Sequence, residues 1–442
     1  MKRAYYKKDD PMKVVQIIPG SGGSFYCGNC LRDSKYIESI RAQGLEVIIV
    51  PMYLPLLPRE KNEKEIPVFY GAISIYLKQL FPAFRHAPAW VERLLNSKPM
   101  LKFAAGMANS TRSKGLENMT ISMLLGEHGQ QKEELEKMVD WLENHYKADI
   151  IHISNALLLG LAHTLKERLK IPVVCSLQDE DVWVDGMDEA FKEKTWDLLR
   201  EKAKDVDLFI SVSHYFTSFM KEKLNLPDSK ITTLHLGVDP ADYTYRNAAE
   251  KGRNIGFLSR LCEENGLDIL VDAFILLKQM PGNEQSKLML TGGSTGDDTH
   301  FIADQKRKIH QAGLSDHVHF IHDFSAEKRN AFLDQVTLMS VPVKHGEAFG
   351  IYLTEAMAAG IPIVQPELGA FPEIVLSSGG GVIYEHNTPI ALARTLNALL
   401  ADKKMLQILS AQARQSIEKT FNIHALSKEM ASIYELAVKN AL

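Results

Sequence analysis

The chain has 442 residues, 45% of them apolar and 24% charged, with a net charge of −4 at pH 7. That length allows two ordinary domains, and the near-balanced charge supplies no global field for nucleic acid. Four cysteines are too few for a disulfide scaffold in a chain this long and suit a reducing cytosol.

The N-terminus, MKRAYYKKDDPMK, is charged and has no apolar stretch of the signal-peptide kind. The longest apolar run, VIIVPMYLPLLP at 47–58, is too short to span a bilayer and is broken by proline. These features lead us to expect a cytoplasmic protein, attached at most to the inner face of a membrane.

Residues 13–18, KVVQII, predict a buried strand. PGSGGSFYCGNC follows at 19–30, with four glycines and the pair Cys27 and Cys30. The next segment predicts a helix with Leu31, Ile37 and Ile40 on one side and Gly44 as its stop, then a strand, EVIIV. Strand, glycine-rich turn, helix, strand is the start of a doubly wound α/β domain. The alternation pauses over 55–130, which reads as a helical insertion. It resumes with a helix at 131–146 and strands at 149–154, 171–177, 207–213 and 230–239, with a long helix near 188–203 before the third and another helix before the last.

Residues 238–252 are polar and break the alternation, as an interdomain linker does. A second series predicts strands at 254–261, 287–293, 317–321, 338–343, 361–366 and 381–385, and a helical segment from 389 to the end. The expected architecture is two Rossmann-like parallel-sheet domains, 1–245 and 246–442, facing a central cleft. The final helix is expected to pack back on the first domain.

HGEAFGIYLTEAMAAG at 345–360 is the most informative stretch. Glu347 falls on a loop after a strand, and Glu355 falls inside a helix beginning near Phe349 or Gly350 and ending at Gly360. Gly346 and Gly350 allow close backbone approach. The amides of Gly350, Ile351 and Leu353 belong to a first helical turn, where N–H groups lack partners and favour anions. One carboxylate could accept two ribose hydroxyls, the other could hold a sugar, and the helix start could take phosphates between them.

With GAFPEIV at 369–375, FLSRL and Gly266 after 257, LTGG at 290–293 and LHLGVD at 234–239, this segment resembles the retaining glycosyltransferases of family 4, with the GT-B fold and an E-x7-E motif. The resemblance covers roughly 13–440, apart from the insertion. It implies transfer of a sugar from a nucleotide-diphosphate sugar, with no metal or other cofactor required, to a glycan, lipid-linked or small-molecule acceptor. It further implies that Glu355 holds the donor ribose, that Glu347 sits against the donor sugar and that Arg260 neutralises the leaving diphosphate. Gly22, Gly23, Gly292, His345 and Phe349 are implied on the donor side.

Two positions depart from the family pattern. Asn265 stands where a lysine usually meets the diphosphate, and Gln178, before Asp179, stands where a histidine is common. Gln178 can hydrogen-bond a sugar hydroxyl but cannot titrate, and Glu180 and Asp181 add carboxylates at the same strand end. The missing lysine keeps a second reading open, a degenerate GT-B protein that binds nucleotide or glycan without catalysis. Cys27 and Cys30 read as reduced thiols packed under the glycine turn, with a regulatory disulfide as the alternative. Residues 76–104 are basic, aromatic and amphipathic. They could lie on an anionic membrane surface or form a helical arm on the first domain. His317 and His319 share a strand face without a third metal ligand.

Overall fold

The computed structural model describes residues 11–19, 28–52, 69 and 115–441. Gly22, Gly23, Cys27, the Cys30 side chain and the basic stretch 76–104 lie outside the described residues. Two six-stranded sheets organise the rest, and every pairing is parallel.

The first sheet holds β1 (Lys13–Ile18), β2 (Glu46–Pro51), β3 (Ile150–Ile153), β4 (Val173–Leu177), β5 (Leu208–Ser211) and β6 (Ile231–Thr233), in the order β2-β1-β3-β4-β5-β6. Its helices are α1 (Gly28–Ala42), α2 (Glu117–Leu124), α3 (Lys132–His145), α4 (Ala162–Leu169), α5 (Glu180–Asp185), α6 (Glu189–Lys202) and α7 (His214–Leu224). The second sheet holds β7 (Asn254–Leu258), β8 (Lys287–Thr291), β9 (Val318–Ile321), β10 (Leu338–Met339), β11 (Ile363–Pro366) and β12 (Gly381–Tyr384), in the order β12-β11-β10-β7-β8-β9. With it go α8 (Leu267–Lys278), α9 (Thr299–Gln311), α10 (Ala326–Gln335), α11 (Ile351–Ala358), α12 (Phe371–Ser378), α13 (Pro389–Ala401), α14 (Lys403–Lys419) and α15 (Ile423–Ala441).

The strands are near-continuous Val, Ile and Leu runs, because helices cover both faces of a parallel sheet. Val14, Val15, Ile17, Ile150, Ile151, Val173 and Val174 are fully buried. In such sheets the crevice opens beyond the strand C-termini, where the strand order reverses. In the second sheet that point lies between β7 and β10, so the loops after Leu258 and Met339 flank it. Arg260 and Glu347 follow those two strands.

Three elements differ from the sequence expectation, each for a local reason. β10 stops at Met339, although Ser340 still donates to Gly256 O at 3.0 Å, because Pro342 has no N–H to continue a ladder. α11 starts at Ile351, because Gly350 takes φ +83°, outside the helical region. β6 ends at Thr233, and residues beyond it turn to the C-terminal region: Val238 N donates to Phe421 O, and Ile423 N donates to Val238 O.

α15 returns to the first sheet. Ile423, Leu426, Met430 and Tyr434 join Val14, Tyr36, Ile37, Ile150 and Ile210 in one buried cluster. His152 on β3 is enclosed there, 2.6 Å from Tyr434 Oη and 2.8 Å from Ser176 Oγ. Among the described residues no helix is long and apolar enough to cross a membrane.

Candidate active site

β4 of the first sheet delivers Gln178 to Asp181 into the cleft. Asp179 adopts φ +52°, a left-handed conformation that costs energy for a residue with a side chain. The strained turn lets the following carboxylates double back. Glu180 is fully buried and accepts from Ala156 N at 2.9 Å and Gln178 N at 2.6 Å. Gln178 donates its Nε2 to Ser154 O at 2.8 Å, tying β4 to β3. Its Oε1, and Oδ1 of Asp181, are buried with no hydrogen-bond partner among the described residues.

The second half delivers Glu347. Tyr352 donates its hydroxyl to Glu347 Oε2 at 3.1 Å. Burial, then the charges of Asp179 and Asp181, push the Glu347 carboxyl well above the usual carboxylate range. Burial and Asp179 likewise raise Asp181 to about 7, and burial raises Glu180 to about 8 against the backbone amides that donate to it. The charges of Asp179 and Asp181, beyond the end of β4, thus act on Glu347, beyond the end of β10.

Close approach packs the site. A Cβ on Gly346 would lie 2.5 Å from Tyr215 Oη of the first half, and one on Gly369 would lie 2.3 Å from Glu347 N within the second. Ser213 donates its hydroxyl to Ala348 O at 2.7 Å across the boundary. Phe349 is buried against His235 and Phe421. Its placement is therefore that of a packing residue between the halves. Ile351 and Leu353 are also buried, and the Leu353 amide donates to Gly350 O at 2.9 Å. Of the amides expected to face a ligand, that one is used within the turn. His345 is exposed.

Glu355 does not open onto the cleft surface. It is fully buried, accepts from Tyr243 Oη at 2.7 Å and lies 2.7 Å from Arg329 Nε. The sequence leads one to expect a ribose contact at Glu355; the side chain is enclosed by protein neighbours. The enclosure comes from the linker residue Tyr243 and from α10, two neighbours that no spacing rule within 345–360 could supply.

The loop after β7 is equally constrained. Arg260 makes a paired contact with Asp298, Nε to Oδ2 at 2.9 Å and Nη2 to Oδ1 at 2.8 Å. Burial would push the Asp298 carboxyl up, but Arg260 and the Thr295 amide hold it below its ordinary value. Asn265 donates to Ser259 Oγ at 2.8 Å and Arg260 O at 3.1 Å, so it shapes the loop that carries the arginine. A Cβ on Gly292 would lie 2.1 Å from Ser259 O, and that glycine has φ +126°. It lets the β7 and β8 loops meet.

Lys344 escaped the sequence reading. Its Nζ lies 2.9 Å from both Glu263 Oε1 and Asp268 Oδ2, and its amide donates to Glu264 O. A second cation therefore docks on the same loop from a different strand, although Asn265 occupies the expected position. Tyr215 and Tyr352 were also missed, since a tyrosine at a helix start carries no motif. Cys175 and Cys262 are buried and free, and burial pushes the Cys262 thiol up to about 12, which makes it a poor thiolate.

Comparison with known proteins agrees with this architecture. Residues 245–416 match the family described as Glycosyl transferases group 1, and residues 125–242 match Glycosyltransferase Family 4. A D-inositol 3-phosphate glycosyltransferase of Xylanimonas cellulosilytica is 30% identical over 208 residues, 45% of this chain and 48% of that protein. The chain spans about half the length of the curated relatives it matches. Sucrose-phosphate synthase from Thermosynechococcus elongatus superposes with a TM-score of 0.70 at 17% identity, over 96% of this chain and 98% of that one. HepE of Anabaena, solved in complex with UDP and glucose, gives 0.67 at 16% identity, over 96% and 99%. Those two likenesses speak to the fold. With two parallel six-stranded sheets, and with both family matches in chain order, the chain belongs to the family 4 glycosyltransferases and has the GT-B fold.

Proposed function

We propose that the protein transfers a sugar from a nucleotide-diphosphate sugar to an acceptor hydroxyl, with retention at the anomeric carbon, in the cleft between its two sheets. The observation that carries this reading is the pair of buried acceptors, Gln178 Oε1 and Asp181 Oδ1, without donors among the described residues, beside Glu347. Buried polar atoms require partners, and sugar hydroxyls supply donors. Glu347 takes hydroxyls of the donor sugar. Gln178, Asp179 and Asp181 take hydroxyls of the sugar or acceptor.

The departing diphosphate gains negative charge in the transition state. Arg260 and Lys344 bring cations to the loop after β7, and fixed positive groups stabilise such a charge best when they need not reorganise. The ion pairs to Asp298, Glu263 and Asp268 fix both side chains. The reaction in this proposal uses no metal, and the departing phosphate oxygen receives the acceptor proton. The acceptor is a glycan, a lipid-linked saccharide or a small molecule.

The test is Glu347→Gln, which keeps the shape and the Tyr352 contact. Donor consumption across a panel of nucleotide-diphosphate sugars should fall at least about 100-fold, with an unchanged far-UV spectrum and unfolding midpoint. Wild-type turnover in this variant would remove Glu347 from the chemistry.

A further inference from the structure

A second cluster of ligating side chains, none of them among the cleft carboxylates described above, lies at the boundary of the two halves. His214 begins α7, His235 follows β6, and Glu373 lies in the first turn of α12. The first two belong with the first sheet and the third with the second. One ligand atom from each residue lies within 4.8 Å of the other two. His235 Nε2 is 2.7 Å from Glu373 Oε1, and the two imidazole rings meet edge to face at 5.5 Å.

We propose that His214, His235 and Glu373 form a binding site for a divalent transition-metal ion of the zinc type, which ties the two halves of the protein together. Two imidazoles and one carboxylate are a donor set that zinc accepts, with a fourth position left for water. Bonds of about 2 Å to nitrogen and oxygen place tetrahedral ligand atoms about 3.3 Å apart. The His235–Glu373 pair is already near that separation, and the exposed His214 ring can move to complete it.

The carboxylate is aimed before any ion arrives. Glu373 Oε1 accepts from His214 N at 2.9 Å, and Oε2 accepts from Tyr215 N at 3.0 Å. Outer hydrogen bonds of this kind orient metal ligands. His235 also packs against Phe349, with its ring tilted at 6.1 Å, and against Phe421, edge to face at 5.7 Å. Bound metal would add to the Ser213–Ala348 contact next to it, and this role is structural, separate from sugar transfer.

The experiment uses untagged full-length protein stripped with chelator, titrated with zinc chloride and followed by calorimetry and by thermal unfolding. Wild type should bind one zinc equivalent more than His214→Ala or His235→Ala, and its unfolding midpoint should rise by about a few degrees at saturating zinc while theirs does not. His214→Ala removes only an exposed ring and leaves the Glu373–His235 bond in place, so its fold is retained. The difference from wild type also separates this site from any zinc held by Cys27 and Cys30. Cobalt substituted in wild type should give visible absorption bands that His214→Ala lacks. Equal zinc stoichiometry in wild type and His214→Ala, or no zinc bound by either, would overturn the proposal.

Discussion

Glu355 accepts a hydrogen bond from Tyr243 and pairs with Arg329 without exposure to solvent. Removing one partner of a buried pair costs more than the pair contributes, because the other charge is left enclosed. Glu355→Gln should therefore destabilise the protein by about 3–5 kcal/mol, and Tyr243→Phe by about 1 kcal/mol, both read by urea unfolding. Unchanged unfolding of Glu355→Gln would show that the pair is not closed in solution. The cleft acids make a different prediction. Glu180 and Asp181, raised to about 8 and about 7, bind protons more tightly folded than unfolded. Their contribution to stability is complete at low pH and is lost as pH rises through those values. Stability should thus decline between pH about 4 and about 8, and Asp181→Asn should flatten that decline. An identical slope in the variant would contradict the buried placement of Asp181. At this scale the sequence was only partly legible. Glu347 stood out as a candidate from its spacing and glycine neighbours, but the enclosure of Glu355 depends on Tyr243 and Arg329, residues 112 and 26 positions away.

Elements were more legible than contacts. The strands of both sheets stood out as unbroken apolar runs, since burial on two faces removes the polar alternation. Their ends were less clear, because a ladder stops where a donor is missing, as at Pro342, or where the chain finds another partner, as Val238 does with Phe421 and Ile423. The start of α7 shows an element held by the opposite half. Ser213 caps it, accepting from Phe216 N at 3.0 Å, and Glu373 accepts from His214 N and Tyr215 N. Burial would raise the Glu373 carboxyl, but His235 and those amides hold it below its ordinary value. A depressed acid contributes stability above its unfolded pKa and loses it as pH falls through the folded one. Glu373→Gln should cost about 1–2 kcal/mol near neutrality, with the difference from wild type shrinking below pH about 4. A constant difference across that range would contradict a charged cap.

At the scale of the whole molecule, the two sheets converge their strand ends on one site. The Rossmann-like pattern and the E-x7-E spacing made that arrangement readable in advance, because each βα unit repeats the same local rules. Lys344 was not readable, since its place on the Arg260 loop arises only when the segment after β10 lies against the one after β7. A Cβ on Gly266 would come within 1.8 Å of Pro342 O, which shows how closely those segments meet. The return of α15 to the first sheet and the contacts of Glu373 and Ser213 join the halves at several points, so the strand-end residues of the two sheets are held against each other. The most direct measurement is proton NMR of the protein with a panel of nucleotide-diphosphate sugars and simple sugar, lipid-saccharide and small-molecule acceptors, for wild type and Glu347→Gln. The account predicts that one donor is consumed, that nucleoside diphosphate is released and that the product keeps the donor's anomeric configuration, all lost in the variant. An inverted product, equal turnover by Glu347→Gln, or no consumption of any donor would contradict it.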